Sequence, residues 1–294
     1  MTYPEVLRYH NKIGLIAPAG DISPERVTKA VHELEEMGFR PVVGKHVHKK
    51  VRYFAGTDEE RARDVNEMFE DPEIKGIICL RGGYGSGRIL PYLNLAKIKA
   101  NPKFFLGYSD VTLLHLFLNQ QAELITFHGP MAGVELIDEQ TDIKTLISLE
   151  KHLFFNQAAP TLQSRGVKTL VKGDFSGQLV GGNLTSVVSS LGTPYEIQTA
   201  GKVLFLEEVG EASYRIDRLL TQLQQNKKLE KLQGIVLGHF TQVGDEYLEE
   251  VFQDIMGNLN TPCIHNYPAG HALPNYTLPM GEVVHYKAQA QGRG

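Results

Sequence analysis

The sequence predicts an α/β protein with two domains, and three observations support this fold class. The chain has 294 residues, about twice the size of an average domain. Short apolar runs, typical of buried strands, alternate with longer amphipathic runs, typical of helices. The alternation is interrupted once, between about residues 130 and 165, and then resumes. We therefore expect two α/β domains joined by a connector.

The first half of the chain is expected to form a parallel sheet with right-handed helical crossovers. Its strands are continuous apolar runs, which is typical of a sheet covered on both faces. Ser23 and Pro24 suit the cap and first turn of a helix that ends near Gly38, and Thr57 begins a second helix. The predicted strands are 12–17, 40–43, 74–80, 103–108 and 124–127, and the predicted helices are 24–37, 57–69 and 111–119.

The second half follows a connector, 131–165, that carries one helix at about 142–155. Four glycines between positions 173 and 182 indicate a bent strand or a hairpin. Asn183 is expected to cap a helix that ends near Gly192. We therefore place the domains at 1–130 and 166–294. Within the second domain the predicted strands are 202–206, 234–238, 262–264 and 282–285, and the predicted helices are 214–229 and 245–259.

The composition excludes several classes of protein. Hydrophobic residues make up 42% of the chain and charged residues 22%, which is not the balance of a disordered or collagen-like chain. The formal net charge of -4 does not indicate the basic surface that nucleic-acid-binding proteins carry. No apolar run approaches the ~20 residues that span a bilayer. Cys79 and Cys263 lie far apart in apolar runs and are interpreted as buried free thiols. We expect a cytoplasmic protein that binds neither nucleic acid nor membrane.

A serine at the end of the fourth predicted strand is the sharpest local feature. In Leu-Gly-Tyr-Ser-Asp-Val, the strand runs into Ser109 and a helix begins directly after it. This layout exposes a serine hydroxyl at a helix N-terminus, where the backbone amide of Asp110 could stabilise an oxyanion. The alternative is that Ser109 or Asp110 only caps the helix, since the sequence is not the G-x-S-x-G of the α/β-hydrolases.

A glycine-rich loop follows the third predicted strand. It spans 81–88, Arg-Gly-Gly-Tyr-Gly-Ser-Gly-Arg, in a chain with 29 glycines, about 10% against a typical 7%. The carboxyl ends of parallel strands are where open α/β sheets bind ligands, and glycine lets backbone amides approach a ligand closely. The loop lacks the Gly-Lys-Ser/Thr ending of a phosphate loop. An oxyanion-binding turn and a purely structural turn both remain open.

Two further segments hold chemistry-bearing side chains. Glu207 and Glu208 end an apolar strand, where a carboxylate can reach a neighbouring histidine or simply face solvent. His271 lies in a loop between glycine and proline turns, but it is one of 11 histidines. His46 and His48 have no acidic or cysteine companion at ligand spacing, so we expect no metal. The arginines of the 214–220 helix suit either salt bridges or a peptide carboxylate.

Taken in this order, these features resemble the LD-carboxypeptidase family of serine peptidases, which includes muramoyltetrapeptide carboxypeptidase and the microcin C self-immunity proteins. The resemblance covers nearly the whole chain. No single segment decides it, but several segments in one order make it specific. The matching segments are 13–20, 81–85, 107–110, 128–131, 181–184, 206–209, 214–218 and 270–271.

The resemblance implies a Ser-Glu-His triad formed by Ser109, Glu207 and His271. It also implies an oxyanion hole made by the backbone amides of Asp110 and Gly83. The N-terminal domain of the family is flavodoxin-like, similar to class I glutamine amidotransferases, and the C-terminal domain is a smaller α/β domain. Glu208 stands where the family commonly has Asp. Which of the two neighbouring carboxylates faces His271 is therefore open at this point.

The resemblance also implies an activity. Such an enzyme removes the terminal D-alanine that follows L-lysine or diaminopimelate in murein tetrapeptides, during peptidoglycan recycling. It needs no cofactor or metal, and it is expected to be a homodimer. One alternative is a microcin C-type immunity hydrolase that cleaves a peptidyl- or aminoacyl-nucleotide amide. Such enzymes stack adenine on an aromatic ring, and this chain has no Trp. Another alternative is a non-catalytic ligand-binding module, which a serine-directed reagent would not label at Ser109.

Overall fold

A computed structural model describes residues 1–155, 160–244 and 246–288. The chain forms two compact units, one made of Met1–Asn156 and Leu273–Gly281, the other of Gln157–Ala272 and Glu282–Gly294. This division differs from the expected domains in two places. The part of the 131–165 connector up to Asn156 is grouped with the first unit, and a late segment, Leu273–Gly281, returns to that unit.

The helices and strands follow the alternation that the sequence predicts. The strands are β1 Lys12–Ile16, β2 Arg40–Val43, β3 Ile74–Cys79, β4 Phe104–Gly107, β5 Thr126–His128, β6 Lys168–Val171, β7 Phe175–Asn183, β8 Val203–Val209, β9 Gly234–Thr241, β10 Cys263–His265, β11 Leu278–Met280 and β12 Val283–Tyr286. The α-helices are α1 Pro24–Glu36, α2 Asp58–Glu70, α3 Ser86–Ile89, α4 Leu95–Ala100, α5 Thr112–Gln120, α6 Ile143–Phe154, α7 Leu184–Ser189, α8 Ser213–Gln225 and α9 Leu248–Ile255. Short 3-10 helices span Leu90–Tyr92, Ser109–Val111 and Glu135–Ile137.

The sheet of the first unit has the strand order β11-β5-β4-β3-β1-β2. Strands β1 to β5 are parallel, and their order is that of a flavodoxin-like fold, as expected. The added edge strand β11 runs antiparallel to β5. It contains Pro279, which lacks a backbone donor and is tolerated at a sheet edge. The carboxyl ends of β3 and β4 therefore lie side by side in the middle of this sheet.

Helix caps form where the sequence predicts them. The Ser23 hydroxyl accepts a hydrogen bond from the Arg26 amide at 3.4 Å, with Pro24 at the first position of α1. Thr57 and Glu60 form a reciprocal capping box at the start of α2. Asn183 accepts from the Ser186 amide at 3.0 Å and so caps α7. These bonds satisfy backbone donors that a helix start otherwise leaves unpaired.

The sheet of the second unit has the strand order β12-β7-β8-β9-β10-β6. Strands β7 to β10 are parallel, and the edge strands β12 and β6 are antiparallel to their neighbours. Gly177, Gly181 and Gly182 lie in the single strand β7 and Gly173 precedes it, so the segment is one strand and the hairpin alternative is wrong. At Gly181, with φ +121°, a Cβ would lie 2.0 Å from the Phe205 carbonyl oxygen, so glycine is required there.

Three helices of the second unit are shorter than predicted, and α7 ends at Ser189 instead of near Gly192. Helix α8 ends at Gln225, because Asn226 turns back to bond the Gln222 carbonyl and Lys227 adopts a positive φ. Helix α9 spans Leu248–Ile255 within the predicted 245–259, and Asp245 lies outside the described residues. The short elements α3, α4, β6 and β11 were not predicted.

Both cysteines are buried free thiols, as predicted. Burial raises the pKa of each thiol, to about 12 for Cys263, so both stay protonated. Among the helices of the described residues, none combines the length and the apolar character needed to cross a bilayer.

Candidate active site

Ser109 occupies a strand-to-helix elbow in the first unit. Strand β4 ends at Gly107, and Ser109 follows with φ +66°, in the left-handed region. The chain then makes the 3-10 turn Ser109–Val111 and enters α5 at Thr112. A non-glycine residue in this region is strained and is held by its surroundings, as is typical of nucleophile elbows. The strand–turn–helix layout that the sequence predicted is therefore present.

Gly107 allows the elbow to form. A Cβ on Gly107 would lie 2.9 Å from Val111 Cγ1 and 3.1 Å from the Cys79 thiol sulfur. Its carbonyl accepts hydrogen bonds from the Gly129 amide and from His115 Nε2. The start of the turn is thus packed against neighbouring residues, and a side chain at position 107 would displace the turn from them.

The capping alternative for this serine is wrong. No side chain caps either the 3-10 turn or α5. The Asp110 carboxylate instead accepts a hydrogen bond from the Ser86 amide at 2.7 Å. Burial raises the pKa of Asp110, and this bond opposes that rise. Within the described part of the first unit, the Ser109 hydroxyl makes no hydrogen bond.

The glycine-rich loop after β3 lies directly against Ser109. A Cβ on Gly82 would lie 2.9 Å from Ser109 Cβ and 3.0 Å from its Oγ, so only glycine fits beside this hydroxyl. Gly83 and Gly85 have φ +109° and +133°, which L side chains rarely adopt. The Gly20 amide donates to the Gly82 carbonyl at 3.0 Å and ties the loop to the segment after β1. The structure therefore brings Gly83 and Ser109 into one neighbourhood.

Arg61 anchors the backbone of the glycine-rich loop. Its guanidinium is buried, 1% exposed, and donates from Nη1 to the Pro18 carbonyl at 2.6 Å and to the Gly85 carbonyl at 2.9 Å. Its charge is balanced by Asp58, which also pairs with Arg88. Burial lowers the pKa of Arg61, and Asp58 opposes the shift. Sequence reasoning missed this residue, because an arginine within a charged helix carries no local signal of burial.

Glu207 and His271 form a tight pair in the second unit. His271 Nδ1 lies 2.6 Å from Glu207 Oε2. Glu207 is fully buried, whereas the His271 side chain is 16% exposed. Burial raises the pKa of Glu207, and the hydrogen bond from His271 opposes that rise. The carboxylate accepts from Nδ1–H, and this fixes the tautomer in which Nε2 is the basic nitrogen of the ring.

Gly270 makes the close approach of these two residues possible. Its φ is +115°, and a Cβ there would lie 2.7 Å from Glu207 Oε2 and 2.8 Å from Glu207 Cβ. The loop is held to the sheet by the His239 amide, which donates to the Ala269 carbonyl at 2.8 Å, and by the Tyr267 amide, which donates to the Leu237 carbonyl at 3.0 Å. The backbone of this loop thus positions the imidazole.

Glu208 has a different task from Glu207. Its carboxylate accepts four hydrogen bonds, from Asn183 Nδ2, the Thr185 amide, the Thr185 hydroxyl and the Val209 amide, at 2.7–2.9 Å. These bonds join the end of β8 to the start of α7. The pairing of β8 with β9 is irregular between Leu206 and Glu208, and both glutamates are buried. The question left open by the sequence is therefore answered: Glu207 faces His271.

The remaining candidates have structural partners. Arg215 of α8 bonds Glu211 at 3.2 Å and the Tyr214 hydroxyl at 3.1 Å, and Arg218 lies over the Tyr214 ring at 5.7 Å. His46 does have an acidic companion, because its Nδ1 lies 2.7 Å from Asp64. That companion is 18 residues away in sequence and could not be recognised by ligand spacing. Among the described residues, no three His, Cys, Asp or Glu side chains are grouped so as to hold a metal ion.

Known proteins match both halves of the chain. Residues 13–129 match the LD-carboxypeptidase N-terminal domain, and residues 176–285 match the LD-carboxypeptidase C-terminal domain. The probable murein peptide carboxypeptidase of Bacillus subtilis strain 168 is 37% identical over 284 residues, which cover 95% of this chain and 89% of that protein.

Solved structures agree with these matches. The muramoyltetrapeptide carboxypeptidase from Oxalobacter formigenes has a TM-score of 0.82 and 30% identity, over 95% of this chain and 96% of that one. An MccF-like protein from Bacillus anthracis strain Ames has a TM-score of 0.88 and 27% identity, over 96% and 95% of the two chains. The chain therefore belongs to the LD-carboxypeptidase family of serine peptidases.

Proposed function

We propose that this protein hydrolyses the amide bond to the terminal D-alanine of murein tetrapeptides, with Ser109 as nucleophile, His271 as base and Glu207 as the carboxylate that orients it. The observation that carries the proposal is the 2.6 Å bond from His271 to a fully buried Glu207. An apolar site does not hold a carboxylate unless a partner compensates the lost hydration. A buried acid that orients one nitrogen of a histidine is the arrangement that serine hydrolysis requires.

The chemistry follows from these residue types. His271 Nε2 takes the proton of the Ser109 hydroxyl while the serine oxygen bonds the scissile carbonyl carbon. The carbonyl oxygen becomes an oxyanion that accepts hydrogen bonds from the amides of Asp110 and Gly83. The C–N bond then breaks, and His271 returns the proton to the amine of the departing D-alanine. Water, activated by the same histidine, hydrolyses the acyl-enzyme and releases the shortened peptide.

The substrate class rests on the relatives. The Bacillus subtilis protein is named for murein peptides and the Oxalobacter formigenes protein for muramoyltetrapeptide. The proposal includes a role in peptidoglycan recycling, a cytoplasmic site of action and a homodimer. Sedimentation equilibrium tests the dimer: a mass near the 32.8 kDa of one chain at micromolar concentration contradicts it.

The proposed reaction is tested with synthetic tetrapeptides. The protein is incubated with peptides ending in L-Lys-D-Ala or diaminopimelyl-D-Ala, and with matched peptides ending in L-Ala. Mass spectrometry should show the loss of one alanine from the D-terminated peptides only. Cleavage at an internal bond, or equal cleavage of the L-terminated peptides, contradicts the assignment.

A second candidate function is supported by the likeness to the MccF-like protein from Bacillus anthracis. Under this alternative, the same serine chemistry cleaves an aminoacyl-nucleotide amide. One preparation assayed on an aminoacyl sulfamoyl adenosine and on a murein tetrapeptide separates the two. Faster turnover of the nucleotide substrate would favour the immunity-type hydrolase.

A further inference from the structure

Arg81 is a cationic side chain that the mechanism above does not use, although it begins the glycine-rich loop. Its Nη1 donates to the Asp21 carbonyl oxygen at 2.6 Å. Among the described residues its Nε and Nη2 make no hydrogen bond. Guanidinium has five donors in a planar fork, which suits two oxygens of a carboxylate. Most of the donor capacity of this half-buried arginine is therefore unused.

Two glycines make room for this guanidinium beside the loop. A Cβ on Gly20 would lie 3.2 Å from both Cζ and Nε of Arg81, and a Cβ on Gly83 would lie 3.4 Å from its Nη2. The unused donors thus lie next to Gly83, whose amide is a proposed oxyanion donor. The bond from Nη1 to the Asp21 carbonyl anchors the guanidinium, and the missing side chains of Gly20 and Gly83 leave the space that it occupies.

The local charge also favours an anion. Asp21 is the acid near Arg81, and its carboxylate pairs with Lys50 at 2.5 Å. The bond from Lys50 lowers the pKa of Asp21, and the charge of Arg81 adds to that effect. Lys50 and Asp21 together are neutral, so the group as a whole keeps the single positive charge of Arg81.

We propose that Arg81 binds the C-terminal carboxylate of the peptide and so makes the enzyme a carboxypeptidase, an inference that rests on the proposed function. In the substrate the terminal carboxyl carbon is one residue beyond the scissile carbonyl carbon, about 3.5 Å away. A scissile carbonyl held by the Gly83 amide therefore places this carboxylate within reach of the neighbouring guanidinium. An internal peptide bond offers no carboxylate at that distance.

The test compares a tetrapeptide that ends in free D-alanine with the same peptide ending in D-alaninamide. For the wild type we expect kcat/KM to be about 10- to 100-fold higher on the free acid, because a charge-assisted pair is lost with the amide. In Arg81→Gln, kcat/KM on the free acid should fall by about that factor and become similar to the value on the amide. Glutamine can still donate to the Asp21 carbonyl, so the loop contact is kept.

The matched control is Arg63→Gln, which removes the same charge from an exposed position on α2 and should leave the acid-to-amide ratio unchanged. An equal fall on both peptides in Arg81→Gln would assign Arg81 a purely structural role and overturn the proposal. An unchanged ratio in Arg81→Gln would also overturn it, while leaving the proposed function intact. A wild type that cleaves neither peptide overturns both, whereas a wild type that cleaves both equally overturns only the role of Arg81.

Discussion

Substitution of Gly270 by alanine should separate Glu207 from His271 without removing either residue. The added Cβ would lie 2.7 Å from Glu207 Oε2, and Glu207 is fully buried, so the carboxylate has little space to move into. At φ +115° the strained backbone costs about 1–3 kcal/mol. Loss of a buried, charge-assisted hydrogen bond costs about 1.5–3 kcal/mol. Together these give a destabilisation of about 2.5–6 kcal/mol, a large part of a typical stability of about 5–15 kcal/mol.

The assay measures D-alanine release and the free energy of unfolding in urea on the same preparation. For Gly270→Ala we expect kcat to fall by about 10²–10⁴-fold, because the imidazole loses the carboxylate that orients it. The control is Gly201→Ala in the same unit, where φ is +73° and no atom lies within 4 Å of the new Cβ. It should cost about 1–2 kcal/mol of stability and leave kcat unchanged. Wild-type kcat in folded Gly270→Ala, or an equal loss in Gly201→Ala, would refute the reasoning.

Three further predictions follow from single contacts. Glu207→Gln should lower kcat by about 10³–10⁴-fold, because Glu207 orients His271. Glu208→Gln should mainly lower the melting temperature, since Glu208 bonds backbone and side chains of the fold. A large loss of kcat in Glu208→Gln, with only a lower melting temperature in Glu207→Gln, would exchange their roles. Gly82→Ala should lower kcat at least tenfold, because the new Cβ would lie 3.0 Å from the Ser109 hydroxyl oxygen. Circular dichroism should show that the variant is folded, and unchanged turnover in the folded variant would contradict this contact. Burial lowers the pKa of His115 from 6.5 to about 4, so the unfolded chain binds more protons than the folded chain between these pH values. The free energy of unfolding should therefore fall by up to about 3 kcal/mol from pH 6.5 to 4. Urea unfolding of His115→Asn should show a flatter pH dependence, and a slope equal to that of the wild type would contradict the assignment.

The order of elements could be predicted because each half of the fold carries local signals. Ser23, Thr57 and Asn183 are capping residues, and each caps the helix that the sequence assigns to it. The central strands are apolar runs. Edge strand β11 could not be predicted, since three residues that include Pro279 carry no periodicity and their pairing with β5 joins distant parts of the sequence.

The candidate site was predicted unevenly, for physical reasons. Ser109 was predicted because its elbow depends on neighbouring residues in sequence. Glu207 was assigned to the triad only through the family resemblance, because Glu207 and Glu208 both end a strand that is buried on both faces and neither carries a local signal of its partner. Arg61 and Arg81 act on the loop through contacts with backbone carbonyls, which leave no trace in the sequence.

The most direct test is the rate of D-alanine release from a murein tetrapeptide by the Ser109→Ala variant. The variant should fold like the wild type and keep its affinity for the peptide, because only one oxygen atom is removed. An exposed serine, Ser176, gives the matched control, and Ser176→Ala should keep full activity. We expect kcat of Ser109→Ala to fall at least 10³-fold, to the level set by binding and the oxyanion amides alone. Turnover of Ser109→Ala at the wild-type rate would contradict serine catalysis at this elbow.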